Sequence, residues 1–189
     1  MTQPGMTQPG MTQPGTTQAG PTQPGTTLVG RLSRVVLEDD GPTSLPPFIE
    51  ADREQAVADL AAANRFAPLT LKGRACAGPF ALHLALRDGR LLFDIRCDDE
   101  TPVAAVGLAL GPFRRLIKDY HLLVDSHSKA VQEGRMEHIQ AVDMGRRGLH
   151  NEGAELLRHR LHGKIDIDFD TARRLFTLLC VLHQKVAAR

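Results

Sequence analysis

Two runs of alternating apolar and polar positions flank Asp88-Gly89 in "FALHLALRDGRLLFDIRC", residues 80–97. Alternation with period two is the mark of a half-buried strand, and Asp-Gly between two such runs predicts a tight hairpin. "RLSRVVLED" (31–39) reads as a further strand, and "TPVAAVGLAL" (101–110) as a third antiparallel strand beside the hairpin. The period changes after Gly111-Pro112, where proline suits the first helical position. "FRRLIKDYHLLVDSHSKAVQ" (113–132) then places Phe113, Leu116, Ile117, Tyr120, Val124 and His127 or Ser128 on one helical stripe. Further helices are predicted over 135–162 and 171–184. An earlier one, "EADREQAVADLAAANRF" (50–66), carries Ala56, Val57, Leu60, Ala61 and Asn64 at helical spacing, and its acidic first turn suits the helix dipole. The predicted class is α+β: a small antiparallel sheet in the N-terminal half packed with a C-terminal group of about three helices.

The pattern is absent from residues 1–30, which repeat MTQPG-like units of five residues without a charged side chain. Proline and glycine in nearly every unit prevent helix and leave no apolar face to bury, so a disordered tail is expected. The repeat has neither the apolar run of a secretory signal nor the arginines of a transit peptide. Residues 31–189 suffice for a single globular domain. Its apolar runs, such as "LFTLLCVL" (175–182), are far too short to span a membrane. Cys76, Cys97 and Cys180 are an odd number without CxxC spacing, which fits neither a disulfide framework nor zinc and suggests a reducing cytoplasm. Residues 31–111 carry a net charge of −3, and 112–189 a net +4 with seven of the eight histidines. That balance hints at an anionic partner but falls short of a typical nucleic-acid binder.

Candidate chemistry concentrates in "AVDMGRRGLHNEGAELL", residues 141–157. Three glycines in a helical context cost about 3 kcal/mol together, which close packing or a binding site must offset. On one continuous helix Ile139, Val142, Gly145, Leu149, Gly153 and Leu156 share a face, with Arg146 at its edge and the small residues admitting a neighbouring helix. Asp143, Arg147, His150 and Asn151 then line the outer face, with Asp143 placed to pair with Arg147. If the chain instead breaks near Gly148, Asn151 becomes an N-cap with Glu152 in the first turn. The free N–H groups there, with Arg146 and Arg147, would form an anion site.

Arg114, Arg115 and Lys118 form a second cationic group, in a first turn where the dipole disfavours them; Asp119 can relieve Arg115 at i, i+4. "IDIDFDTARRLF" (165–176) alternates Asp166, Asp168 and Asp170 with apolar residues along a short strand, and Asp170 is placed to cap the helix that follows. It lacks the Gly and Glu of a calcium loop, where Thr171 and Thr177 stand instead. His159 and His162 have no convincing third ligand and read as surface residues. No metal site, cofactor motif, phosphate loop or recognisable nucleophile is present.

The blocks "PFRRLIKDYHLL", "IQAVDMGRRGLHNEGAELL" and "GKIDIDFDTARRLFTLLCVL" together resemble uncharacterised protein family 0262, a bacterial group, over roughly 31–184. The resemblance implies one cytoplasmic bacterial domain and carries no assigned activity; the repeat tail and His159 and His162 depart from the family pattern. Three readings of function follow. The leading one is a small cytoplasmic adaptor that offers its helical half to an unidentified protein. The second is an RNA- or nucleotide-associated anion-binding module using Arg114, Arg115, Lys118, Arg146 and Arg147, which requires these five to form one patch. The third is an enzyme built on Asp143, His150 and Glu152 with His150 as general acid–base, which requires His150 and a carboxylate to meet in a concave pocket.

Overall fold

Asp88 and Gly89 both adopt left-handed backbone, with φ of 50° and 67°. A type I′ turn requires positive φ at both positions, and this one joins β3 (Phe80–Arg87) to β4 (Arg90–Cys97). The computed structural model describes residues 30–38, 45–69, 76 and 78–187, so the N-terminal repeat lies outside the described residues. Strand β5 (Pro102–Ala109) pairs antiparallel with β4, as the alternation predicts. Strand β1 (Leu32–Glu38) does not complete an all-antiparallel sheet: it runs parallel to β3, giving a mixed sheet of order β1-β3-β4-β5. Alternation reports which residues face the core and says nothing of strand direction. A parallel pair needs a long crossover, and residues 39–79 between β1 and β3 supply one.

That crossover holds α1 (Pro47–Ala62) and the short strand β2 (Phe66–Pro68). Helix α1 begins three residues before the predicted start, with proline at its first position, and ends before Asn64. Asn64 is therefore not part of the helical stripe. Its side chain accepts from the Leu32 N–H at 2.6 Å and donates to the Leu32 and Leu60 carbonyls, fastening β1 to the end of α1.

The helical half begins with a 3₁₀ turn (Gly111–Phe113) that leads into α2 (Arg114–Gln132). The expected stripe is buried as far as Val124, with Phe113, Leu116, Ile117, Tyr120 and Val124 each less than 5% exposed, while His127 and Ser128 are half-buried. Helix α3 (Met136–Leu161) is continuous, so the break near Gly148 does not occur. Strand β6 (Ile165–Ile167) pairs with β2, tying the two halves of the chain together. The final helix, α4 (Phe169–Ala187), starts two residues before its predicted start. Asp168, not Asp170, caps it by accepting from the Thr171 N–H at 2.7 Å.

Helix α4 is the centre of the molecule and packs against α1, α2, α3 and β3. Leu175, Phe176, Leu178, Leu179, Cys180, Val181 and Leu182 are all buried, which leaves the helix apolar nearly all round through its middle turns. Full burial of a side chain such as Phe176 contributes roughly 2–3 kcal/mol. Among the cysteines, Cys76 and Cys97 are paired as a disulfide with Cα atoms 6.5 Å apart, and Cys180 is free and buried. The pair leaves no signature in cysteine spacing, because the two residues are 21 positions apart and only the folded chain brings Cys76 beside the end of β4 at Cys97.

A polar cleft between three helices

Helices α1, α3 and α4 enclose a cleft of about 160 Å³, lined by Asp52, Arg146, His150, Arg173, Arg174 and Thr177 among others. Helix α3 contributes Arg146 and His150. Arg146 reaches across to α1, where its Nη1 donates to both carboxylate oxygens of Asp52 at 2.6 and 2.8 Å. Its Nη2 lies 3.5 Å from Asp143, and its guanidinium stacks 4.8 Å from the Phe48 ring centre. One turn along α3, His150 is 6% exposed, between the rings of Tyr120 and Phe176. Its Nδ1 lies 3.4 Å from the Thr177 hydroxyl of α4. Burial, reinforced by the charges of Arg146 and Arg173, pushes the imidazole pKa down to about 4. His150 is therefore neutral at physiological pH. The neighbouring Tyr120 hydroxyl is pushed up beyond its ordinary range, by burial first and then by the charges of Cys180 and Asp52.

The cleft holds polar groups without partners. Nε2 of His150, Nε of Arg146 and Nε of Arg173 are each buried without a hydrogen bond. Arg174 is engaged, with Asp59 at 3.6 Å and the Ala63 carbonyl at 2.6 Å. Arg173 forms no ion pair among the described residues. Buried donors and acceptors nearly always find partners, so three unsatisfied atoms on the walls of one cleft mark a place where a ligand or ordered water belongs.

The structure separates the residues that the sequence grouped. His150 lies on the buried face of α3 with Val142, Gly153, Ala154, Leu157 and Leu161, not on its outer face. The buried stripe is rotated from the expected one: Gly145 is exposed, and Leu149 and Leu156 are only partly buried. Helical spacing shows that a stripe exists, whereas its orientation is decided by what α4 presents, here Phe176 and Thr177. Asp143 approaches Arg146 and not Arg147, which is exposed. Asn151 is an exposed residue within α3 and caps nothing. Glu152 points outward to form an ion pair with Arg115, which also has Asp119 at 3.7 Å. Arg114 and Lys118 are exposed on α2. With Arg146 turned into the cleft and Arg115 held by Glu152, the five basic residues do not make one patch.

Similarity covers nearly the whole described chain. The model of uncharacterised protein family UPF0262 matches residues 29–185. The chain belongs to this family. A family member from Granulibacter bethesdensis is 63% identical over 160 residues, covering 82% of this chain and 91% of its own. One from Acidiphilium cryptum is 56% identical, covering 82% and 94%, and one from Maricaulis maris is 51% identical, covering 84% and 96%. No solved structure matches. The relatives bear only the family name, so the chemistry of the cleft rests on its geometry.

Asp52, Arg173 and Thr177 were not singled out by sequence reasoning. Asp52 looked like one more acid in a first turn. Thr177 did leave a signal, as the polar interruption of the apolar run "LFTLLCVL". Arg173 precedes it by one helical turn. Among the described residues no group of three or more His, Cys, Asp or Glu is placed to hold a metal ion.

Proposed function

We propose that this protein is a small binding module of the bacterial cytoplasm that holds an anionic ligand, a carboxylate or phosphate group, in the cleft between α1, α3 and α4. The observation that carries the reading is Arg173: a cation without an ion pair among the described residues, its Nε–H buried and unpartnered, lining the same cleft as Arg146, whose Nε–H is equally unpartnered. An anion entering there meets charge-assisted donors, which form stronger hydrogen bonds than neutral ones. The size of the cleft favours a compact ligand or the head of a larger one over an enclosed dinucleotide.

The adaptor reading has weaker support. Leu122, Val131, Met136 and Met144 are exposed on α2 and α3, but single exposed apolar side chains are common on protein surfaces. The enzyme reading loses its named residues, since Asp143 and Glu152 do not line the cleft with His150, and the carboxylates that do, Asp52, Asp59 and Asp170, form no hydrogen bond with the imidazole. An imidazole held to about 4 is a poor general base at neutral pH. Neither cysteine of the Cys76–Cys97 pair lines the cleft, so binding should persist under the reducing conditions of a cytoplasm.

The test is calorimetric titration of the full chain with inorganic phosphate and with acetate, in wild type and in Arg173→Gln. Saturable binding of either anion that weakens at least tenfold in the variant supports the reading. A folded variant that binds both anions as wild type does overturns it.

A further inference from the structure

The unpartnered atoms of the cleft differ in kind. The Nε atoms of Arg146 and Arg173 are donors. Nε2 of His150 is a donor or an acceptor according to the tautomer, and the Thr177 hydroxyl decides which. That hydroxyl has a single proton, which it donates to the Arg173 carbonyl one turn back at 3.2 Å. With that proton on the carbonyl, lone pairs face His150 Nδ1 at 3.4 Å, which favours the tautomer with the imidazole proton on Nδ1. With His150 neutral, Nε2 is left with a bare lone pair, buried and unpartnered. The aromatic rings of Tyr120 and Phe176 that pack on the imidazole leave it so.

Resting on the anion-site reading above, we infer that the cleft takes an oxyanion that carries its own O–H donor, and that His150 Nε2 selects for that proton. The arginine Nε–H groups take the oxygen lone pairs of the ligand, and its O–H completes Nε2. Two ligand classes have this chemistry: a phosphate group that retains a proton, and a hydroxycarboxylate. Sulfate and simple carboxylates match the donors equally well but have no proton at neutral pH. Against them the buried lone pair of Nε2 faces another lone pair. A site with a committed hydrogen-bonding group rejects an analogue lacking the complement far more strongly than an apolar pocket rejects a missing methylene. Thr177 is a positioning residue in this scheme, since it acts through the imidazole.

The experiment is a titration of the full chain at pH 6.5 with two pairs of probes, phosphate against sulfate and lactate against propionate. The expected result is at least tenfold tighter binding of the proton-bearing member of one pair. Preference for phosphate identifies a phosphate-bearing ligand, and preference for lactate a hydroxycarboxylate. In His150→Phe, which keeps an aromatic ring but has no acceptor, the preference should shrink to about twofold while binding itself persists. Should that variant fail to fold, Thr177→Val serves in its place, because freeing the tautomer should also reduce the preference. Nitrogen NMR of the wild-type imidazole reads the tautomer independently of any variant, and a proton on Nε2 overturns the inference. Equal affinities within both pairs, with Arg173→Gln still abolishing them, overturn the selection and leave the anion site standing. Absence of binding by all four probes overturns both.

Discussion

Burial holds His150 as a neutral imidazole with a pKa near 4, against 6.5 for an exposed histidine. Between these values the unfolded chain binds a proton that the native chain does not. The stability associated with neutral His150 is thus complete above pH 6.5 and is lost as the pH falls toward 4. The size of that loss is on the order of 3 kcal/mol. His121 and His183, whose rings lie 5.3 Å apart, are also lowered by burial and add to the same slope. His150→Gln should flatten the acid limb of the stability curve measured by denaturant melts between pH 4 and 7. An unchanged limb would show that His150 does not govern it. The adjacent arginines of α3 part company in the same way. Arg146 is three-quarters buried on Asp52, so Arg146→Gln strands a carboxylate and should cost about 2–3 kcal/mol, while exposed Arg147→Gln should stay within about 0.5 kcal/mol. Equal melting temperatures for the two variants would contradict the ion pair across α1 and α3.

Helix α3 answers the question raised by its glycines. A Cβ at Gly153 would fall 2.4 to 2.5 Å from three ring atoms of Phe176, deep in the core. At Gly148 it would meet nothing within 4 Å. Gly153 is therefore where α4 comes closest, and Gly148 is an exposed glycine in a continuous helix. Gly153→Ala should destabilise by roughly 1–3 kcal/mol through overpacking. Gly148→Ala should stabilise by up to about 1 kcal/mol through helix propensity. Thermal or denaturant melts rank the two, and the reverse order would count against the α3–α4 contact. Strands β3, β4 and β5 and most helices were legible in the sequence because each depends on a local period, two for the strands and 3.6 for α2 and α3, whereas β2 was not, and Phe66 was read as the end of α1. The direction of β1, the cap at Asp168 and the register of the α3 face were not, because each depends on what lies opposite in space.

For the molecule as a whole, the match to the family begins at residue 29, after the repeat. Removing residues 1–28 should therefore leave the melting temperature within about two degrees and the cleft's ligand affinity unchanged; a larger fall in melting temperature would mean that the repeat docks on the domain. Local information determined the α+β class, the hairpin at Asp88-Gly89, the burial of α2 and the family, since side-chain periodicity and motif runs are properties of consecutive residues. The candidate site was legible only in part: Arg146 and His150 were singled out, but with Asp143, Glu152 and Arg147 as companions. The cleft needs Asp52 from α1 and Arg173 and Thr177 from α4; Asp52 lies 94 positions from Arg146 and Thr177 lies 27 from His150, the α3 side chains they approach. Only tertiary structure decided which polar groups were removed from water together. Desolvation and hydrogen-bond satisfaction depend on every element that closes over an atom, and no period along the chain records them.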